Sequence, residues 1–332
     1  MTYLFLFGGI FLGWSFGRNN LSNVFGTAIG TRMISLSCAA CLAGIFILFG
    51  ALFSSSETTS SILALSEIPS VFGAFLISIS IALTILLASK LGAPVSIVQG
   101  AVGALVGWNC FFHVENNWHL IGNMVAAWFY CPIIGALFAI LGFYCTRFFL
   151  KHVKIPLLYR DLWIRILLVI SGIYSAYFLG ANNMPAIAGP YLNIEQINPI
   201  FITLIIGISI AIGALMADKK VIETVSSGLF PLSPLEALVV VLSCGLTLYC
   251  FSASTLETLL LKIHLPSFPL VPIPTSSVLV GSIMGIGLAK GHAGIRWHAL
   301  FKIIASWILV PIISALICCF ILAILVYGRV SL

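Results

Sequence analysis

Charged side chains are scarce in this chain. Its 332 residues include only 15 lysines and arginines and 9 aspartates and glutamates. Charged residues therefore make up 7%, whereas soluble proteins carry about 25%. So few charges cannot cover a surface in contact with water, which excludes a cytosolic enzyme, a secreted disulfide scaffold and a nucleic-acid-binding protein. With 61% apolar residues and a mean hydropathy of +1.18, the composition indicates an all-α polytopic membrane protein in a lipid bilayer.

Groups that could bind a metal ion or carry out catalysis are also few. The six histidines are scattered over predicted loops, and most of the nine cysteines lie inside apolar runs. Neither set shows the spacing of a metal site, so we expect no metal ion and no cofactor. The acidic residues fall between the apolar runs and no nucleophile–base pair is evident, so we expect that the chain is not an enzyme.

Ten apolar runs are long enough, or nearly long enough, to cross a bilayer as helices. Two of them, 94–110 and 272–289, are short and could re-enter the membrane instead of crossing it. Basic residues are concentrated in the loops on one side of the resulting topology, which the positive-inside rule assigns to the cytoplasm. This orientation places both termini outside. We expect an integral protein of the plasma (inner) membrane. The chain then divides into three parts: a first transmembrane half (1–150), a basic cytoplasmic linker (151–165) and a second transmembrane half (166–332).

The two halves repeat several short segments in the same order. Gly17-Arg18-Asn19-Asn20 is matched by Gly180-Ala181-Asn182-Asn183, and Pro94-Val95-Ser96 by Pro272-Ile273-Pro274. About five crossings in each half is an odd number, so we expect the second half to be inverted relative to the first. Inverted repeats with interrupted helices or hairpins near the midplane are typical of secondary transporters. We expect these polar segments to interrupt their helices there.

These motifs resemble those of the inorganic phosphate transporter (PiT) family. The signature of that family, G-A-N-D-V-[AS]-N-x-[FI]-G, is similar to Gly17–Gly26 and to Gly180–Gly189. Its P-V-S-T-T-H-x-x-x-G hairpin is similar to Pro94–Gly103 and to Pro272–Gly281. The resemblance covers nearly the whole chain and implies a homodimeric, ion-coupled phosphate symporter.

The chain departs from the family motifs at several positions. Asn20 and Asn183 replace the signature aspartates, which the family links to the coupling cation, and Arg18 replaces an alanine. The first hairpin keeps Ser96 but places Gln99 where the family has histidine. Amides in place of carboxylates shift the expected balance toward sulfate, which carries no proton and needs only hydrogen-bond donors.

Polar side chains of the repeated segments are the candidate ligands of an oxyanion. The predicted substrate-binding residues are Arg18, Asn19, Asn20, Asn182, Asn183, Ser96, Gln99, Thr275, Ser276 and Ser277. The predicted cation-coupling residues, for H⁺ or Na⁺, are Asn20, Asn23, Asn183, Glu57 and Glu223. Structural roles are the alternatives: the arginine could extend to the membrane interface, and the amides, hydroxyls and glutamates could cap helices. No acidic residue is expected at the depth of the arginine.

Phosphate transport by alternating access is the first functional hypothesis. A sulfate permease of the same superfamily is the alternative within that class. A membrane scaffold that keeps the fold without transporting is the alternative from another class.

Overall fold

The computed structural model describes residues 2–90, 94–153, 156–195, 197–292 and 294–327, and within these ranges it contains helices and no β-strand. The first half forms α1 (Thr2–Phe5), α2 (Phe7–Gly30), α3 (Leu36–Ser54), α4 (Ser56–Leu63), α5 (Val71–Lys90), α6 (Ile97–Phe112) and α7 (Trp118–His152). The second half forms α8 (Leu157–Leu192), α9 (Pro199–Leu215), α10 (Lys219–Glu223), a π-helical turn (Thr224–Gly228), α11 (Pro234–Ser252), α12 (Ser254–Lys262), α13 (Thr275–Ala289) and α14 (Trp297–Tyr327). The all-α membrane fold class is confirmed.

Side-chain caps begin several of these helices. Asn198 Oδ1 accepts hydrogen bonds from the amides of Ile200 and Phe201 at the start of α9. Ser233 and Glu236 form a reciprocal capping box at the start of α11, where Pro234 occupies the first helical position. These contacts satisfy amide groups that the first turn of a helix leaves without a partner.

Fewer helices can cross a membrane than the ten that the apolar runs predict. Six of the described helices are long and apolar enough, with a seventh if α9 is counted together with its continuation, which bends by 71°. The prediction of ten full crossings is therefore too high. The short helices α6 and α13 have 16 and 15 residues. At the helical rise they are only about 22–24 Å long, against about 30 Å for a hydrocarbon core.

Exposure separates central from peripheral helices. The most apolar 18-residue stretch of α11 is 78% buried, whereas those of α7 and α14 are 28% and 22% buried. The largest fully buried side chains include Tyr191, Phe16, Phe25 and Phe251, on α8, α2 and α11. The interior is therefore built around α2, α8 and α11, and the apolar outer faces of α7 and α14 fit the expected contact with lipid.

The two halves pack against each other reciprocally around four glycines. A Cβ atom on Gly17 would overlap the carbonyl oxygen of Ile210, and one on Gly180 would overlap that of Ile47. Gly50 stands in the same relation to Tyr177 and Gly213 to Trp14. One interval of 163 residues relates each contact to its counterpart.

The short helices show the same reciprocity. A Cβ on Gly107 of α6 would lie 2.6 Å from the carbonyl oxygen of Ala315 in α14. A Cβ on Gly285 of α13 would lie 2.6 Å from that of Ala136 in α7. Reciprocal contacts of this kind define a pseudo-twofold relation between the halves. The inverted orientation of that relation in the membrane stays a prediction.

The basic segment 151–165 is largely helical where it is described. The helix α7 ends at His152 and α8 begins at Leu157, while Lys154 lies outside the described residues. With 35 and 36 residues, these two helices are about 50 Å long and extend beyond a hydrocarbon core. The cytoplasmic location of this segment stays a prediction.

Both signature segments lie inside continuous helices, so the predicted interruptions are wrong. Residues 17–20 belong to α2 and residues 180–183 to α8, and neither helix breaks there. The polar side chains are accommodated because they are buried against other helices and hydrogen-bond within the protein. The half-length elements of the fold are α6 and α13 instead.

Candidate functional site

Buried polar side chains are concentrated on α2 and α8 and in the first turns of α6 and α13. All the predicted substrate-binding residues except Arg18 are at most 2% exposed. The helix α2 contacts α13, and α6 contacts α8, so the two halves meet around these side chains. The structure therefore gathers nine of the ten predicted residues in its interior, on helices that contact each other.

The signature asparagines of α8 hold the segment that leads into α13. Asn182 Nδ2 donates to the carbonyl oxygen of Ile273 at 2.8 Å, and its Oδ1 accepts from the amide of the same residue at 2.9 Å. Asn183 Nδ2 donates to Thr275 Oγ1 at 2.9 Å and to Leu179 O at 3.1 Å. Both hydrogens of the Asn183 amide are thus used within the protein.

The signature asparagines of α2 have different partners. Asn19 Nδ2 donates to Ser89 Oγ at the end of α5, at 2.9 Å. Asn20 Nδ2 donates to the carbonyl oxygen of Phe16 at 3.3 Å, and Asn20 Oδ1 accepts from Asn23 Nδ2. Because all of these asparagines lie within helices, the alternative that they cap broken half-helices is wrong.

The beginnings of the two short helices are buried beside these amides. Ser96 caps α6 by accepting a hydrogen bond from the Gln99 amide at 3.4 Å, so its predicted capping role is confirmed. The residue before α13 is Pro274, which provides no side-chain cap, and the hydroxyls of Thr275, Ser276 and Ser277 follow it. Helix N-termini present N–H groups and a partial positive charge, both of which favour an anion.

Several buried polar atoms of α2 and of the first turns of α6 and α13 have no hydrogen-bond partner among the described residues. They are Asn19 Oδ1, Asn23 Oδ1, Thr27 Oγ1, Gln99 Oε1, Ser276 Oγ and Ser277 Oγ. Each such atom costs about 1–3 kcal/mol when left unsatisfied. This concentration on α2, α6 and α13 indicates a site for a polar ligand that can both donate and accept hydrogen bonds.

Arg18 lies apart from this cluster. Successive residues of an α-helix are about 100° apart, so the side chains of Arg18 and Asn20 point to nearly opposite sides of α2. Arg18 Nη2 lies 3.6 Å from Asp218 Oδ2, and its guanidinium stacks on Trp14 with 5.6 Å to the ring centroid. The expectation that no acidic residue shares its depth is wrong, because the start of α10 brings Asp218 alongside α2.

The proline inside α8 explains a contact that the sequence did not predict. Pro185 has no N–H, so the carbonyl oxygen of Ala181 lacks its usual helical partner. Thr58 Oγ1 of α4 donates to that oxygen at 2.8 Å. In the other half, the carbonyl oxygen of Arg18 accepts from the Asp218 amide at 3.0 Å. The helices α4 and α10 therefore contact equivalent points of α8 and α2.

The two predicted glutamates are not brought into the buried cluster. Glu57 lies in α4, but its side chain is outside the part of the structure that is described. Glu223 ends α10 with an exposed side chain and makes no side-chain cap. The 163-residue interval places Glu57 opposite Lys220 rather than Glu223. The two glutamates are therefore not equivalent positions of the repeat.

One acidic side chain, Glu236, is buried among the described residues. It pairs with Lys290 at 2.8 Å, away from the unpartnered amides, and also closes the capping box of α11. Within the described ranges no group of three or more histidine, cysteine or acidic residues could hold a metal ion. The candidate site is therefore built from neutral oxygens, amides and hydroxyls.

Sequence reasoning missed Ser89, Thr58 and Asp218 as partners of the signature segments. Ser89 stands beside Lys90 at the end of an apolar run, which suggested a loop. The repeat offered a signal, because Ser252 follows Ser89 by the same 163-residue interval. Asp218 gave none, because its contact with Arg18 depends on the bend after α9.

A membrane protein of paired helical halves, with a buried polar site at the starts of two half-length helices, belongs to the class of secondary transporters. The sequence profile of the phosphate transporter family matches residues 16–318, and the chain belongs to that family. The resemblance to the PiT family is thereby confirmed.

Individual relatives extend over nearly the full chain. A predicted phosphate permease of Methanocaldococcus jannaschii is 30% identical, over 91% of this chain and 90% of that protein. Another, from Thermococcus kodakarensis, is 24% identical over 96% of both chains. A solved structure of a sodium-dependent phosphate transporter matches with a TM-score of 0.79 at 20% identity, over 98% of this chain and 99% of that one. That likeness shows a shared fold.

Proposed function

We propose that this chain is a secondary transporter that carries inorganic phosphate across the membrane by alternating access of its two halves. Membership of the phosphate transporter family supports the substrate. The observation that carries the proposal is the set of unpartnered polar atoms at the starts of α6 and α13 and on α2. Transport would require that this buried site open to each side in turn.

Phosphate fits these atoms because it can both accept and donate hydrogen bonds. The hydroxyls of Ser276 and Ser277 and the N-terminus of α13 can donate to phosphate oxygens. The carbonyl oxygens of Asn19, Asn23 and Gln99 can only accept, and near neutral pH phosphate carries at least one proton to give. We therefore assign substrate binding to the neutral cluster on α2, α6, α8 and α13.

Sulfate is the competing substrate, and the hydroxyl donors support it. The amides favour sulfate less than the sequence predicts, because Asn20 and Asn183 already donate to carbonyl oxygens of their own helices. The unpartnered amide atoms are acceptors, which sulfate would leave unsatisfied at about 1–3 kcal/mol each. Phosphate is therefore preferred.

We expect uptake to be coupled to an ion gradient, with H⁺ or Na⁺ as the ion. The relative with the matching fold is sodium-dependent. In this chain amides replace the two carboxylates of the family signature, and the buried acid Glu236 is paired with Lys290. Neutral oxygens hold Na⁺ less strongly than carboxylates in a low dielectric. Sodium dependence should therefore be weak.

The proposal includes expectations that rest on the resemblance and on loop charge. They are a homodimer, location in the plasma (inner) membrane, and termini on the outer side. Thiol labelling of engineered terminal cysteines from each side of intact cells would test the orientation, and the mass of the detergent-solubilised protein would test the dimer.

Uptake of radiolabelled phosphate into proteoliposomes tests the proposal. We expect saturable uptake that unlabelled phosphate and arsenate inhibit more strongly than sulfate does. At matched membrane potential, added sodium should change the rate by less than about tenfold, the effect of roughly 1.4 kcal/mol. Stronger inhibition by sulfate would support the sulfate permease. Absence of uptake of both anions would support a scaffold.

A further inference from the structure

The two halves differ in the partners of an equivalent pair of side chains. Asn19 and Asn182 occupy the same position of the signature, 163 residues apart. Asn19 donates to Ser89 Oγ on α5, whereas Asn182 bonds both backbone groups of Ile273, just before α13. Each asparagine thus has one of two kinds of partner: a serine at the end of a neighbouring helix, or the backbone before a short helix.

The alternative partner is present in each half. The same interval relates α5 to α11, since Ser80 and Ser243 donate to carbonyl oxygens four residues earlier in the two helices, at 2.8 and 2.7 Å. It makes Ser252 of α11 the counterpart of Ser89. The matched contacts of α6 and α13 likewise make Val95 the counterpart of Ile273.

Two side-chain atoms that the alternative contacts would use are buried and unpartnered. Ser252 is 3% exposed and its Oγ has no hydrogen-bond partner among the described residues. Asn19 Oδ1, whose counterpart in Asn182 accepts from the Ile273 amide, also has none. These are the two side-chain atoms that would gain a partner if Asn182 turned to Ser252 and Asn19 turned to the backbone of Val95.

The surroundings of Ser252 and Ser89 also differ. Ser252 lines a cavity of about 280 Å³, which also borders Ser54 and Tyr249 near the ends of α3 and α11 and Tyr177 in the middle of α8. Beside Ser89, the Lys220 Nζ atom donates to the carbonyl oxygen of Lys90 at 3.0 Å and ties α10 to α5. A cavity therefore lies beside Ser252, which has no asparagine partner. A hydrogen bond between two helices lies beside Ser89, which has one.

We propose that Ser89 and Ser252 are positioning residues of the transport cycle, which Asn19 and Asn182 bind alternately. In the state described here Asn19 holds Ser89, and Asn182 holds the backbone before α13. In the opposite state Asn182 holds Ser252, the cavity beside it closes, and Asn19 holds the backbone of Val95. This inference rests on the proposed transport function, because it assigns the two hydrogen-bond patterns to the two states of alternating access.

Alanine substitutions at the two serines should shift the equilibrium in opposite directions. Ser89→Ala removes a hydrogen bond of the present state, so it should favour the opposite state. Ser252→Ala removes a hydrogen bond of the opposite state, so it should favour the present state. The loss of one net hydrogen bond corresponds to a change of about two- to tenfold in the ratio of the states.

The thiol introduced by Ser254→Cys, on the wall of the cavity, reports which state is populated. Its rate of reaction with a hydrophilic maleimide is measured in the purified full-length protein, by mass spectrometry of its peptide. The exposed native Cys41 serves as the internal reference. Ser89→Ala should slow the reaction, by a factor of at most about ten, while Ser252→Ala should leave it unchanged or accelerate it. The double variant Ser89→Ala/Ser252→Ala should restore a rate close to that of the parent.

Ser80→Ala and Ser243→Ala are matched controls, because these buried serines lie nine residues earlier on the same two helices and donate to carbonyl oxygens of their own helices. They should not change the labelling rate. Ser89→Thr and Ser252→Thr keep the hydroxyl and should behave as the parent. If Ser89→Ala does not fold, Ser89→Cys provides a weaker hydrogen-bond partner of similar size and should shift the rate in the same direction.

Shifts in the same direction for both alanine variants, or no shift in either, would overturn the inference. Phosphate and sulfate uptake by the parent protein are measured separately. If neither anion is transported although the labelling rates shift oppositely, the proposed function fails and the exchange of partners stands. If transport occurs but both variants shift the rate in the same direction, or neither shifts it, the exchange alone fails.

Discussion

The two halves of the molecule share their backbone packing but differ in their polar site. The glycine contacts of Gly107 and Gly285 match at the same distance, 2.6 Å. The asparagines differ: Asn20 accepts from Asn23 on its own helix, whereas Asn183 donates to Thr275 of α13. Helix packing at backbone distance leaves no choice of side chain, because any Cβ would overlap a carbonyl group. The polar site is not constrained in this way, and its side chains take different partners in each half.

The largest expected effect is on the contacts that the halves share. Gly103→Ala and Gly281→Ala each place a Cβ onto a carbonyl oxygen, that of Pro311 or Pro132, in the middle of a helix. Because backbone cannot move aside as a side chain can, each should cost at least about 3 kcal/mol, the upper end for overpacking. Thermal unfolding of the purified variants measures this.

Gly122→Ala is the control, since nothing lies within 4 Å of the added Cβ. Gly103→Ala and Gly281→Ala should destabilise the protein by similar amounts. A tolerated alanine at one of them would break the equivalence of the halves.

A smaller effect should distinguish Asn182 from Asn19. Asn182→Ala leaves both backbone groups of Ile273 without a partner, whereas Asn19→Ala removes one bond to Ser89. Leaving a buried polar group unsatisfied costs about 1–3 kcal/mol, so Asn182→Ala should lower the unfolding free energy more than Asn19→Ala. Denaturation in detergent compares the two variants, and equal losses would contradict the difference in partners.

Restoring the carboxylates of the family signature should change the selectivity between phosphate and sulfate. Asn20→Asp combined with Asn183→Asp adds acceptors that protonated phosphate can satisfy and sulfate cannot. The ratio of phosphate to sulfate uptake should rise about tenfold, which corresponds to roughly 1.4 kcal/mol. An unchanged ratio in a variant that still transports would show that these positions do not select between the anions.

The smallest effect on stability is expected from substitutions in the contacts that α4 and α10 make with α8 and α2. Thr58→Val removes the hydrogen bond that satisfies the carbonyl oxygen of Ala181, at about 1–3 kcal/mol. Asp218→Asn removes the charge facing Arg18, whose side chain is 37% exposed, and asparagine can still cap α10. Exposed ion pairs contribute about 0–1 kcal/mol. Melting temperatures should therefore fall more for Thr58→Val, and the reverse order would make the ion pair the stronger contact.

The sequence predicted the helical membrane fold from its hydropathy, and its motifs singled out nine residues that the structure buries. It overestimated the crossings, since apolar content does not distinguish a helix that spans the bilayer from one of 15 or 16 residues packed inside the protein. It also predicted breaks at residues 17–20 and 180–183, where buried partners allow α2 and α8 to continue. Neither the pairing of Arg18 with Asp218 nor the difference between Asn19 and Asn182 could be predicted, because both depend on how distant helices meet.

The central claim is that the neutral buried cluster binds phosphate and carries it across the membrane. Counterflow of radiolabelled phosphate in proteoliposomes preloaded with unlabelled phosphate tests it most directly, because an overshoot requires a carrier that exposes its site to each side in turn. We predict an overshoot for the parent protein and for Ser80→Ala. The overshoot should be lost, or half-saturation should rise at least about tenfold, in Ser276→Ala/Ser277→Ala. Absence of an overshoot in the folded parent protein, or an unchanged overshoot and half-saturation in the double variant, would contradict the claim.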